Sequence, residues 1–236
     1  MRRLLRIRKD NKWETSLLKS KVIIFSGIDG SGKSTHAHKL LHNLISQNIR
    51  ARYIWMRGRG KPLLSFPLLV LCRLLGITKV RKLKNGMKVS EYPFYAYKSF
   101  RFLWPWLQLM DSLIHTVIHV YFPSFWFDGV LIIDRGIVDT LVDVISDVHT
   151  PTGARLLQRL FLSLLPKGSL VIVLDVNEKV AMIRKKDIPS KRYLSIRRRI
   201  YKYLASKYGW PVISTDGDFD NSHNALLKVL MNWLFR

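Results

Sequence analysis

From Gly27 to Thr35 the chain reads Gly-Ile-Asp-Gly-Ser-Gly-Lys-Ser-Thr, a spacing suited to cradling phosphates. Glycines let the backbone curl until successive N–H groups point inward at phosphate oxygens. A helix starting near Lys33 adds the positive end of its dipole. In this Walker A pattern Lys33 is expected to reach the β- and γ-phosphates of ATP, and the Ser34 hydroxyl to bind Mg2+. Gly27, Asp29, Gly30, Ser31, Gly32, Lys33, Ser34 and Thr35 form the expected ATP-binding set. Lys33 is expected at the loop surface, where its charge matters only when phosphates are present. Asp29 is anomalous, because a triphosphate so close would repel its carboxylate. It either turns toward a sugar hydroxyl of a second substrate or steadies the loop as an Asx turn.

A loop of this kind needs a rigid strand before it and a helix after it. Short apolar runs rich in β-branched residues, without polar alternation, predict buried parallel strands at 22–26, 52–56, 130–134, 170–175 and 212–214. Helix-period segments at 33–47, 137–147, 178–186, 190–208 and 221–234 separate them. That alternation predicts an α/β fold, a doubly wound five-stranded parallel sheet with helices on both faces. Residues 1–19 read as a basic tail and 20–236 as a single P-loop domain. The interval 57–127 is a helical insertion, apolar over 62–75 and aromatic over 93–127. Pro93, Pro105, Pro123, Gln108, Asp111 and His115 argue against a membrane span there, and favour a core or dimer-interface helix.

Forty Lys and Arg against sixteen Asp and Glu give a formal charge of +24. The surplus is concentrated in 1–21, 50–101 and 184–202, and the remainder is slightly acidic. Such a field attracts polyanions. Nucleic acid or anionic membrane is the generic partner, contacted weakly through the basic segments, whereas a phosphate-handling site explains the two internal clusters better. One cysteine, Cys72, excludes an internal disulfide and a cysteine-based zinc site, which suits a cytoplasmic protein. Residues 1–10 have the basic flank of a signal peptide but lack its apolar run.

The stretch Phe25-Ser26-Gly27-Ile28-Asp29-Gly30-Ser31-Gly32-Lys33-Ser34-Thr35 resembles the loop of the thymidylate kinases, and the resemblance spans most of 20–235. It implies a nucleoside monophosphate kinase that moves the γ-phosphate of ATP to dTMP, giving dTDP, with Mg2+ and as a homodimer. Asp134-Arg135 is similar to the family's Asp-Arg-aromatic motif. There Asp134 would hold the metal or its waters, and Arg135 would neutralise the phosphoryl group in flight; a structural ion pair at a strand end is the other reading. Arg57 stands where the family grips the acceptor phosphate, and arginine's planar fork suits a monoester. Phe94 resembles the residue that stacks on the acceptor base. Lys98, four residues on, would share its helix face. Residues 184–192 occupy the place of the family's basic lid. The P-loop carries no arginine, so Arg184, Arg192 or a neighbour would supply the mobile cation.

Two departures fall on the acceptor side. The family follows Asp-Arg with an aromatic residue and a Ser/Thr-rich stretch that ends in Ala-Tyr-Gln. This chain has Gly136-Ile137-Val138-Asp139-Thr140-Leu141-Val142-Asp143, and Asp139, Asp143 and Asp147 form an acidic helix stripe. The apolar insertion, with Arg59, Lys61 and Arg73 in or beside it, is the other. They leave open a different phosphorylated or lipid-linked acceptor, or an NTPase working on nucleic acid or membranes. Arg197, Arg198 and Arg199 cannot all face one site, so at least one belongs on the surface. His115 and His119 lack the glutamate of a zinc protease helix. Trp104, Trp106 and Trp126 read as core or dimer contacts.

Overall fold

The computed structural model describes residues 20–56, 62–82, 88–91, 96–148 and 154–234. The tail 1–19, Arg57, Arg59, Lys61 and Phe94 lie outside the described residues. Strand β1 (Lys21–Gly27) leads through the glycine loop into α1 (Lys33–Ile45), followed by β2 (Ala51–Met56). The insertion holds α2 (Phe66–Leu74), an antiparallel pair β3 (Lys79–Lys82) and β4 (Lys88–Glu91), and α3 (Lys98–Thr116). A π-helical turn at Val117–Tyr121 joins α3 to the short α4 (Phe122–Trp126). Then come β5 (Val130–Arg135), α5 (Ile137–Val148), α6 (Ala154–Ser163) and β6 (Leu170–Asp175). The chain finishes with α7 (Glu178–Arg184), α8 (Lys191–Tyr208), β7 (Val212–Ser214) and α9 (Phe219–Leu234).

All five main strands are parallel, in the order β2-β5-β1-β6-β7. The apolar runs of the central strands β1, β5 and β6 follow from cover on both faces, whereas the edge strands β2 and β7 are partly exposed. Ile23 and Phe25 face one way and pack with Ala37 and Leu40 of α1 and Leu226 and Leu230 of α9. Val22 and Ile24 face the other way, against Val138 and Leu141 of α5 and Leu194 and Leu204 of α8. β1 is central, and its last residues pair Phe25 with Asp134 and Gly27 with Leu174. That register sets the loop between the carboxyl ends of β5 and β6, the crevice where open α/β sheets bind ligands.

Leu68, Cys72 and Trp104 of the insertion form a small core together with Val148 at the end of α5. α3 runs through Pro105, which is buried. Among the described residues no helix is long and apolar enough to cross a membrane. Asp111 is buried and points inward at the chain entering α2, accepting from Leu64 N–H at 2.7 Å, Ser65 N–H at 3.2 Å and the Ser65 hydroxyl at 2.5 Å. Asp111→Ala is expected to strand these three donors. It should cost about 2–4 kcal/mol in urea unfolding, and wild-type stability would contradict that anchoring role. Phe66, Leu74, Phe102, Phe122 and Trp126 leave an apolar face of α2–α4 exposed. Trp104 is core as expected, whereas Trp126, 77% exposed, is not core within one chain.

Candidate active site

The glycine loop takes its shape from β1 and from what crowds it. Gly27 has φ 145, and a Cβ there would lie 2.3 Å from the Leu174 carbonyl oxygen of β6. Gly30 has φ 82, and a Cβ there would lie 2.8 Å from the Ala181 carbonyl oxygen of α7. Only glycine fits either place. Thr215, just after β7, donates its hydroxyl to the Ser31 carbonyl at 3.1 Å and ties the loop to the sheet end.

Lys33 is not the surface side chain the sequence suggested. It is 4% exposed, and its ammonium donates to the Gly27 and Ile28 carbonyls at 2.7 Å each. Burial, aided by Arg135, lowers its pKa to about 8, against the pull of Asp139, Asp29 and Asp134. The charged form still dominates at neutral pH and is held under the loop.

Asp134 is fully buried at the end of β5, where its Oδ2 accepts from the Ser34 hydroxyl at 2.5 Å and the Tyr53 hydroxyl at 2.8 Å. Its Oδ1 has no hydrogen-bond partner among the described residues. A buried carboxylate oxygen left open beside a serine hydroxyl is a hard-oxygen donor set. That fits Mg2+, which takes few protein ligands and completes its shell with phosphates and water. No group of three or more His, Cys, Asp or Glu that could hold another metal occurs among the described residues, His115 and His119 included.

Arg135 follows with φ 72, a left-handed backbone that is uncommon outside glycine, and Gly136 continues at φ 132. The twist throws the guanidinium back over the loop, where it donates to Asp29 Oδ1 at 2.5 Å. Strain of this kind concentrates at functional sites. Lys185 reaches the same oxygen at 3.5 Å. Burial favours protonation of Asp29, but Arg135, Lys33 and Lys185 outweigh it and hold the carboxyl well below the usual range. So Asp29 is an ion-paired carboxylate rather than the cap of an Asx turn.

Residues 184–192, the expected lid, run from the end of α7 into the first turn of α8, and both helices are capped. Asn177 caps α7 by accepting from Lys179 N–H at 3.0 Å, and Ser190 caps α8 by accepting from Tyr193 N–H at 3.1 Å. Of the two expected arginines, Arg184 donates to the Thr215 carbonyl at 2.8 Å and Arg192 is exposed in the first turn of α8. Lys185, their neighbour, is the cation that meets the loop. Lys98 is exposed at the start of α3.

Beyond Asp29 and Arg135 a pocket opens between α5 and α8, lined by Met56, Asp139, Thr140, Asp143, Tyr193 and Arg197 among others. The acidic stripe finds its partners here. Asp143 Oδ1 accepts from Arg197 Nε at 2.9 Å, and Asp147 lies 3.7 Å from the same guanidinium. Arg198 turns the other way to clamp Asp175 at 2.6 and 2.9 Å, and Arg199 is exposed. Three consecutive arginines thus take three directions, as their helical spacing requires. Sequence reasoning missed Tyr53, Tyr193 and Tyr201. The last two stand four residues to either side of Arg197 on α8, so helix spacing was the signal that could have found them.

Asp139 is buried, with Oδ1 accepting from Tyr201 and Oδ2 from Ser26, both at 2.8 Å. Burial raises its pKa to about 6, although Lys33, Arg135 and these hydrogen bonds oppose the rise. A carboxyl whose folded pKa is raised binds more protons folded than unfolded between its two values. Its contribution is therefore most favourable below the unfolded value near 4 and fades as pH rises to 6. The stability of wild type relative to Asp139→Asn should fall by about 2 kcal/mol between pH 4 and 6. A pH-independent difference in denaturant titrations would contradict that.

No family model matches the chain, and no curated protein matches it. Among solved structures the chain is similar to thymidylate kinase from Ehrlichia chaffeensis, at 19% identity and a TM-score of 0.54. The likeness covers 89% of this chain and 98% of that one. It bears out the α/β fold with a five-stranded parallel sheet of the thymidylate-kinase-like type.

Proposed function

We propose that the chain is a nucleoside monophosphate kinase resembling thymidylate kinase, transferring the γ-phosphate of ATP to the phosphate of a monophosphate acceptor. The reference reaction is ATP + dTMP giving ADP + dTDP. One observation carries the reading: a glycine loop with buried Lys33 is bracketed by Asp134 with Ser34 on one side and the Asp29–Arg135 pair on the other. Loop N–H groups and Lys33 would bind the triphosphate. Ser34 and Asp134 would hold Mg2+, which supplies positive charge to the β- and γ-phosphate oxygens. An acceptor phosphate oxygen forms the new bond to the γ-phosphorus as the bond to the β,γ-bridging oxygen breaks, and ADP leaves with those electrons. The acceptor oxygen is already anionic, so no base is required.

Arg135 and a lid cation, with Lys185 nearest the loop, would neutralise the charge that builds in transit. Closure of 184–192 would exclude water and suppress hydrolysis of ATP. Arg57, Phe94 and Lys98 remain the acceptor-side assignments implied by the family resemblance. The exposed apolar face of α2–α4 supports a homodimer, which light scattering tests: a monomer at micromolar concentration contradicts it.

The carboxylate-lined pocket favours a second reading of the acceptor, in which another phosphorylated molecule replaces dTMP. Steady-state ADP formation tests the shared claim. The rate should depend on Mg2+ and on a monophosphate acceptor. ADP release stimulated only by DNA, RNA or anionic vesicles would contradict it and point to an NTPase.

A further inference from the structure

We propose that Tyr53 is a positioning residue for the metal site: its hydroxyl fixes the Asp134 carboxylate so that Oδ1, and not Oδ2, is presented to Mg2+. The inference rests on the kinase reading above and deepens it at the same site.

The terminal torsion of an aspartate is broad and roughly two-fold, so a carboxylate at a strand end does not by itself decide which oxygen meets a cation. Here the two oxygens are unequal. Oδ2 accepts from the Ser34 hydroxyl at 2.5 Å and from the Tyr53 hydroxyl at 2.8 Å. Oδ1 is buried and has no hydrogen-bond partner among the described residues. Two donors on one buried oxygen and none on the other is a costly division, and a cation at the second oxygen offsets it. Ser34 cannot hold that division alone, because its hydroxyl is itself an expected metal ligand and must turn toward the cation. Tyr53 is not an expected ligand. Its single proton is committed to Oδ2, which keeps the carboxylate from rotating when Ser34 turns.

The phenol is held firmly enough for that task. β2 and β5 pair in register, Tyr53 with Ile132 and Trp55 with Asp134, so the ring leans along the strand direction to reach a carboxylate two residues further on. The His38 ring of α1 stacks on the Tyr53 ring with centroids 4.2 Å apart. Tyr53 also packs against the core that contains Phe25, Ala37 and Leu40. Ser34 and His38 stand one turn apart on α1, so the helix that supplies the hydroxyl ligand also steadies the ring that steers its carboxylate partner.

The test is calorimetric titration of the full-length protein with the β,γ-imido analogue of ATP, once in excess EDTA and once in excess Mg2+, without acceptor. Tyr53→Phe keeps the ring and its stack and removes only the hydroxyl. Its Kd in EDTA should stay within 2-fold of wild type, while the tightening conferred by Mg2+ should fall about 10-fold or more. Hydrogen-bond partners of a metal ligand typically account for about 10- to 100-fold in metal affinity. In the Asp134→Asn background, where there is no carboxylate to steer, adding Tyr53→Phe should change the Mg2+ effect by less than 2-fold. Equal weakening with and without Mg2+ would mean that Tyr53 only supports the loop. Unchanged binding in both conditions would mean that its hydroxyl is idle. Either result, or full additivity with Asp134→Asn, overturns the proposal while the kinase reading stands. No tightening by Mg2+ in the wild-type protein overturns the metal site, and the proposal and the kinase reading with it.

Discussion

Lys33→Ala is expected to reduce kcat at least several-hundredfold, a loss of about 3 kcal/mol or more in transition-state stabilisation. The ammonium sits inside the turn of the glycine loop, positioned by the Gly27 and Ile28 carbonyls. Phosphates would compete with those carbonyls for its three protons, and the partial negative charge they gain in flight strengthens the contact. Because Lys33 is buried and bonded to its own loop, the substitution also strands two carbonyls, and some stability will be lost. Lys33→Arg separates the effects: it keeps a donor but not the fit, so the fold should survive and the rate should still drop. Circular dichroism and denaturant midpoints establish folding before any rate is compared. A folded Lys33→Ala protein with wild-type turnover would remove the loop from the mechanism.

Asp134→Asn is the second large effect, with kcat expected to fall about 10^2- to 10^3-fold, or about 3–4 kcal/mol. The substitution keeps shape and removes the charge. Asp134 Oδ2 gathers the Ser34 and Tyr53 hydroxyls, while Oδ1 is the buried oxygen open to a cation. An amide can replace one acceptor but holds Mg2+ poorly. The concentration of Mg2+ giving half-maximal rate should therefore rise in the variant, while binding of metal-free ATP stays near wild type. An unchanged Mg2+ response would mean that Asp134 serves only to fix Ser34 and Tyr53.

The three central strands β1, β5 and β6 were legible because each is buried on both faces and so reads as an apolar run, as in the stretch from Val130 to Ile133; the edge strands β2 and β7 are only partly buried and were legible from their β-branched and aromatic residues. The loop was legible because its glycines answer to steric demands that no other residue meets, as Gly27 against Leu174 shows. β3 and β4 gave no such signal. Their residues, Lys-Val-Arg-Lys and Lys-Val-Ser-Glu, are mostly charged or polar and lack the apolar run of a buried strand, and the two strands pair outside the main sheet. α6 was passed over because it follows α5 closely, and its apolar positions pack on that helix rather than on the sheet.

At the site, residue types announced Lys33, Ser34, Asp134 and Arg135, but pairings needed the fold. Asp29 meets Arg135 across 106 residues of chain, and Asp143 meets Arg197 across 54. Spacing along one helix correctly said that Arg197, Arg198 and Arg199 diverge. It could not say that the first would answer the acidic stripe on α5.

The central claim is transfer of an intact phosphoryl group from ATP to a phosphorylated acceptor, and 31P NMR of the products tests it most directly. Protein, ATP, Mg2+ and a monophosphate acceptor should yield ADP together with a new diphosphate whose two coupled resonances grow as the acceptor signal declines. Inorganic phosphate should stay minor. ADP accompanied only by inorganic phosphate, with every acceptor resonance unchanged, would contradict the account.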